Sequence, residues 1–352
     1  MSYPVIDVTD KQFNMVLSYK EGHFLDLKSI DITPAKLTKT ISAFANADGG
    51  ELFIGVDEVI EGDSKKRVWR GFPDVEAANA HVQVFEEFFP LGQYFSYEFL
   101  SVTPFQGLVL KVEIGKTRDI IKASDGKVYL RRSAQSLPVT TDEALSRLRM
   151  DKGITTFVTE TVDTDMVRIS NSLVVIKFLL DVVPTAEPVS WLKKQELIKG
   201  DKPTVAGILL FDDEPQAVLP KRCGIKIYRY KTTKPTREAL AFDPITIEGC
   251  LYDQIKTAVE KTIEIIQDIK ILKPFGLEQV RYPYVTLHEI ITNAVLHRDY
   301  SLTSDVHIRI FDNRIEVESP GKLPGSVTIK NILHSQLARN GSLVRLINKC
   351  YA

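Results

Sequence analysis

Residues 24–58, FLDLKSIDITPAKLTKTISAFANADGGELFIGVDE, confine the fold more than any other stretch. Leu25 and Leu27 alternate with Asp26 and Lys28, the period of a strand with one buried face. Thr33 is placed to cap a helix with Pro34 at its first position. Leu37, Ile41, Phe44 and Ala45 then form an apolar stripe at helical spacing. NADGG ends that helix, because glycine tolerates positive φ. In the next strand Leu52, Ile54 and Val56 face one way, and Glu51, Phe53, Gly55 and Asp57 the other. FSYEFLSVTPF, GLVLKVEIG and KVYLRRS read as further strands. The pattern is α+β.

A chain of 352 residues is too long for one typical domain. Three segments are expected, residues 1–150, 151–200 and 201–352. VTTDEALSRLRMDKG reads as a helix before the first boundary. The middle segment carries helices near SNSLVVIKFLLDVV and WLKKQELI. In the last segment PTVAGILLF and CGIKIYRYKTT read as strands. DQIKTAVEKTIEIIQDIKIL and YPYVTLHEIITNAVLHRDY are amphipathic helices. HIRIFDN and RIEVESPGKLP form a hairpin.

The formal net charge is −1, so no globally basic nucleic-acid binder is signalled, and any polyanion site must be a local face. Cys223, Cys250 and Cys350 fit no zinc spacing and suggest buried thiols in a reducing compartment. No apolar run approaches the roughly 20 residues that span a bilayer. MSYPVIDVTD lacks a basic start and an apolar core. A cytoplasmic protein without a membrane partner is expected.

Asp26 and Lys28 share one strand face, with Glu21 just upstream. Carboxylates beside a lysine are what a metal-dependent nuclease needs: hard oxygen ligands for Mg²⁺ or Mn²⁺, and a cation for the phosphate. Glu21, Asp26 and Asp57 could converge if the two strands pair, with Glu51 and Glu58 in reserve. The plain alternative is a solvated strand face with a casual ion pair. Lys28, Lys36, Lys39, Arg131 and Arg132 are candidates for phosphate contacts. Strand alternation sends Arg131 and Arg132 to opposite faces. Farther on, Glu289, Asn293 and His297 recur every four residues and share one helix face.

EGHFLDLKS, TISAFANADGGELFIGVDE and KVYLRRSAQSLPVT resemble the AlbA-like domain of Schlafen proteins and many prokaryotic regulators. The resemblance covers about residues 10–150. It implies nucleic-acid binding, and for some members metal-dependent endoribonuclease activity on tRNA or rRNA. The family's acidic triad falls on Glu21, Asp26 and Asp57, with Glu58 an alternative for the third. Asp26 stands where the nucleases have Glu, which shortens the reach by one methylene. LHEIITNAVLHRDYS, RIFDNRIEVESPGKLP and ARNGSLVRL resemble the ATP-binding region of RecG-related regulators and the N-box of GHKL ATPases. By that likeness Asn293 holds the nucleotide's Mg²⁺, Glu289 orients water, His297 shares their face, and Gly321 lets the backbone approach the base. No Asp-x-Gly box and no second glycine box is present.

The expectation is a multidomain α+β chain. It has a Schlafen/AlbA-like domain, a mixed helical segment and a GHKL-like α/β sandwich. Its partners are nucleic acid, RNA ahead of DNA, and further copies of itself. The leading function is a tRNA-directed endoribonuclease in stress or phage defence. The rival is an ATP-sensing DNA-binding regulator without catalysis.

Overall fold

The computed structural model describes residues 4–61, 64–89, 93–103, 107–219, 223–274, 276–334 and 337–350. The chain divides into two compact units, Met1–Thr155 with Leu323–Leu337, and Thr156–Lys322 with Ala338–Ala352. Most of the expected middle segment falls in the second unit, where Val158, Ile169 and Val175 are core residues.

The first unit begins with β1 (Val5–Asp7), α1 (Asp10–Ser18), β2 (Leu25–Lys28), α2 (Pro34–Asn46) and β3 (Gly50–Ile54). A ribbon follows, β4 (Val56–Glu61) and β5 (Ser64–Trp69). Then come α3 (Asn79–Phe88), β6 (Phe95–Ser101), β7 (Val109–Ile114), β8 (Tyr129–Arg132), β9 (Gln135–Pro138) and α4 (Asp142–Asp151). The main sheet runs β1-β6-β7-β3-β2, with β2 and β3 parallel. Parallel neighbours need a crossover, and α2 supplies it.

Thr33 caps α2 by accepting from Lys36 N, with Pro34 in the first turn, as the spacing predicts. Leu37, Ile41 and Phe44 bury against Leu52, Ile54, Leu110 and Val112 of the sheet and Phe85 of α3. Each such side chain contributes roughly 1.5–3 kcal/mol. The other sheet face packs Phe53, Leu100 and Val109 against Val16 of α1.

One expected strand is two. ELFIGVDE breaks at Gly55, whose φ is +118°. A Cβ there would lie 3.0 Å from Gly71 Cα. Gly55 O accepts from the amides of Arg70 and Gly71. The chain therefore leaves the sheet after Ile54, and Asp57 rides on the β4–β5 ribbon opposite Val68.

The second unit holds α5 (Val167–Ser170), α6 (Leu173–Val182), α7 (Pro188–Lys194), β10 (Ile198–Lys199), β11 (Lys202–Pro203) and α8 (Val205–Phe211). It continues with β12 (Ile225–Arg229), β13 (Ile245–Ile247), α9 (Leu251–Gln267), β14 (Lys270–Lys273), β15 (Gly276–Gln279) and α10 (Tyr284–Leu296). It ends with β16 (Val306–Ile310), β17 (Ile315–Glu318) and α11 (Gly341–Cys350). The sheet order is β13-β12-β16-β17. Ile225, Ile227, Ile308 and Ile310 enter a core shared with α8, α9, α10 and α11.

PTVAGILLF, expected as a strand, contains the helix α8. Thr204 caps it by accepting from Gly207 N, and every residue of the helix is buried. A continuous apolar run carries no periodicity, so the cap was the only available signal. Among the described residues no helix is long and apolar enough to cross a membrane.

Candidate functional site

At the edge of the first unit's sheet, β2 carries Asp26 and Lys28. The structure brings Glu21, Asp26 and Lys28 together as a chain of charges. Lys28 Nζ lies 2.8 Å from Asp26 and 3.8 Å from Glu21. The fourth member is Arg131 of β8. Its Nη1 donates to Asp26 Oδ2 at 3.3 Å, and its Nη2 lies 3.3 Å from Oδ1. The second contact has the distance of an ion pair without the alignment of a hydrogen bond.

Arg131 was expected to reach phosphate, and the structure corrects this. It is 2% exposed and Asp26 is 0% exposed. Arg131 Nε donates to Gly22 O at 3.0 Å and Nη2 to Leu25 O at 3.1 Å. Its guanidinium sits over the Phe44 ring, 4.8 Å from the centroid. A buried guanidinium needs its partners inside, and these backbone carbonyls and Asp26 supply them. Arg132 takes the opposite face and is exposed.

Asp57 is not brought to this group. Its Oδ2 accepts from Arg70 Nη1 at 3.2 Å, and the same guanidinium holds Asp31. Among the described residues no three His, Cys, Asp or Glu side chains are arranged to hold a metal ion. Asp26 is also already neutralised. A divalent cation on its carboxylate would add two positive charges beside Arg131 and Lys28. The donor set of Glu21, Asp26 and Asp57 does not fit Mg²⁺ or Mn²⁺ in this arrangement.

A different surface gathers around α2 and the 122–132 stretch that packs on it. Lys36 is exposed one turn before Lys39. Lys39 Nζ lies 5.5 Å from the Tyr129 ring centroid and 3.4 Å from Asp125. Tyr129 first, then Asp125, raises the Lys39 pKa. Lys122, Lys127 and Arg132 are exposed on the same stretch. Lys122 and Lys127 were not expected as site residues; the signal was their spacing around the DG turn of KASDGKVYLRR. Lys36, Lys39, Lys122 and Lys127 thus lie on these two segments, with Asp125 paired to Lys39, while Arg132 points to the face of β8 away from α2.

In the second unit Glu289 and Asn293 are exposed one turn apart on α10. Among the described residues their side chains have no hydrogen-bond or ion-pair partner. His297 caps the helix and is part-buried. Burial, then the charge of Arg339, lowers its pKa, so the neutral imidazole is favoured. Gly321 has φ +126°, and a Cβ there would lie 2.8 Å from Asp299 Cβ. That glycine is explained by its close packing on Asp299, whose amide donates to Pro320 O.

Residues 21–140 match the family model described as "Schlafen, AlbA_2". Residues 303–352 match the one described as "Putative ATP-dependent DNA helicase recG C-terminal". The first match includes every candidate residue of the first unit. The second includes Gly321 and begins after α10. No curated protein matches the chain. Among solved structures, the DIP2311 protein of Corynebacterium diphtheriae is 17% identical with a TM-score of 0.42, covering 96% of this chain and 71% of that one. The N-terminal domain of a "Putative ATP-dependent DNA Helicase RecG-related Protein" from Nitrosomonas europaea is 18% identical with a TM-score of 0.26, covering 37% of this chain and 92% of that one. At these TM-scores neither likeness bears on site or activity. Residues 21–140 are thus similar to the Schlafen AlbA_2 family, and residues 303–352 to the recG C-terminal family.

Proposed function

We propose that the chain is a nucleic-acid-binding protein that grips the sugar-phosphate backbone through α2 and the 122–132 stretch. The observation that carries this reading is the set of cations that these two segments present to solvent, Lys36, Lys122, Lys127 and Arg132 exposed and Lys39 half-buried, on a chain of near-zero net charge. Phosphate contacts by lysine and arginine release counterions, so affinity falls steeply with salt. The two AlbA_2 and recG-type matches agree with a nucleic-acid partner. RNA remains ahead of DNA only through the Schlafen likeness. Cleavage is not part of the proposal, because Asp26 serves as the buried counter-ion of Arg131.

The test is fluorescence anisotropy with labelled single-stranded RNA and duplex DNA over a salt series. The triple variant Lys36→Ala/Lys127→Ala/Arg132→Ala should weaken binding by roughly tenfold or more and flatten the salt slope by about 2–3. Unchanged affinity and slope would sink the reading.

A second reading rests on the unpartnered face of α10. A carboxylate and an amide one turn apart fit the hydrated Mg²⁺ of a nucleotide. Bound ATP would supply a phosphoanhydride. Glu289 and Asn293 would position the ion, and His297 would stay neutral beside it. At a hundredfold excess over its dissociation constant, MgATP should stabilise the protein by about 2.7 kcal/mol. Asn293→Ala should abolish the thermal shift. No shift in the unaltered protein would remove nucleotide binding from the account.

A further inference from the structure

We propose that the groove beside α6 in the second unit binds a basic amphipathic helix of a partner protein. The groove encloses about 370 Å³. Its floor is apolar, formed by Leu173, Val174, Phe178 and Val182 of α6 with Phe211 and Ile347. The apolar surface continues along α6 beyond the cavity. Leu173, Ile176 and Leu180 are 77%, 42% and 66% exposed. Their spacing of three and seven residues makes a stripe of two turns, the footprint of a helix laid in a groove. A small apolar ligand would fill the cavity and leave that stripe bare.

The rim gives the partner its sign. Asp181, Asp213 and Asp253 line the groove with one lysine, Lys177. Asp213 accepts from Leu173 N at 3.4 Å, and Asp253 from Cys250 Sγ at 3.3 Å. Among the described residues none of the three carboxylates has an ion-pair partner. An apolar floor with a net acidic rim complements leucine-type anchors flanked by lysine or arginine. The same rim repels an anionic membrane surface and a second acidic helix.

The test uses the full chain and two synthetic helical peptides of about 14 residues, long enough to hold helix on a surface. One is built from Leu and Lys, the other from Leu and Glu in the same apolar pattern. The Leu/Lys peptide should bind and the Leu/Glu peptide should not. Leu173→Gln should weaken binding about fivefold or more. Asp181→Lys/Asp253→Lys should transfer the preference to the Leu/Glu peptide. All three positions are exposed, so the variants should fold. Equal binding of both peptides, or binding indifferent to these variants, would overturn the proposal. So would self-association of the chain abolished by Leu173→Gln, which would place a second copy in the groove.

Discussion

Replacing Arg131 by methionine should lower the unfolding free energy of the first unit by about 3–5 kcal/mol. The size follows from what is left behind. Asp26 would stay fully buried with Lys28 as its remaining cation, and Gly22 O and Leu25 O would lose their donor. Uncompensated buried polar groups carry their full desolvation penalty. Asp26→Asn should also destabilise, since it strands Arg131. The double variant Arg131→Met/Asp26→Asn should lose clearly less than the sum, because each change removes the other's unpaired charge. Urea denaturation of the four proteins measures this cycle. A loss under about 1 kcal/mol for Arg131→Met would mean a solvated pair of the surface kind. That result would return Asp26 to the list of groups free to meet a ligand.

Stability should rise as pH increases from about 7 toward 9, where the buried Cys223 and Cys250 thiols begin to oppose it, and Lys152 should account for much of the rise. Lys152 is 1% exposed at the end of α4. Its Nζ donates to Ala45 O at 3.0 Å, Thr117 O at 2.7 Å and Thr117 Oγ1 at 3.0 Å. Among the described residues no carboxylate touches it. Burial first, then repulsion from Lys116, pushes its pKa down from 10.5 to about 7, against smaller upward pulls from Asp119 and Asp48. The unfolded chain therefore binds more protons than the folded one between those two values, and stability climbs with pH there. Below about pH 7 both states are protonated and the full penalty of burying the ammonium applies. The swing from this group is on the order of a few kcal/mol. Lys152→Met should flatten the pH profile of the melting temperature over this window, whatever it does to stability at pH 7. A variant profile as steep as the parent's would show that Lys152 titrates normally.

The local elements were legible where the chain announces them chemically. Thr33 and Pro34 mark the start of α2, and the apolar spacing marks its buried face. The hairpin of β16 and β17 was equally plain. The helix α8 was not, because all its residues are apolar and buried and no period survives. The candidate site failed in a different way. Alternation placed Asp26 on a solvent face, but β8 folds over that face from about a hundred residues away, as the Arg131 contact spans 105 positions. No local pattern records such a cover. Asp57 was misplaced by one residue, Gly55, whose positive φ turns the ribbon out of the sheet. Glycine in a strand pattern is the signal that could have warned of this. Lys36 and Lys39 were expected and lie where α2 presents them, and Arg132 faces out as alternation requires.

On this proposal the first unit binds nucleic acid through α2 and the 122–132 stretch, and Asp26 and Arg131 hold the fold. The most direct measurement follows binding and strand breakage together, on end-labelled RNA and DNA, with Mn²⁺ or with EDTA. The parent would run beside Lys36→Ala/Lys127→Ala/Arg132→Ala and beside Asp57→Ala. Binding should persist in EDTA, leave the strands intact, survive Asp57→Ala and collapse in the triple variant. Manganese-dependent cutting lost in Asp57→Ala, with binding unaffected in the triple variant, would instead make the first unit a nuclease that grips its substrate elsewhere.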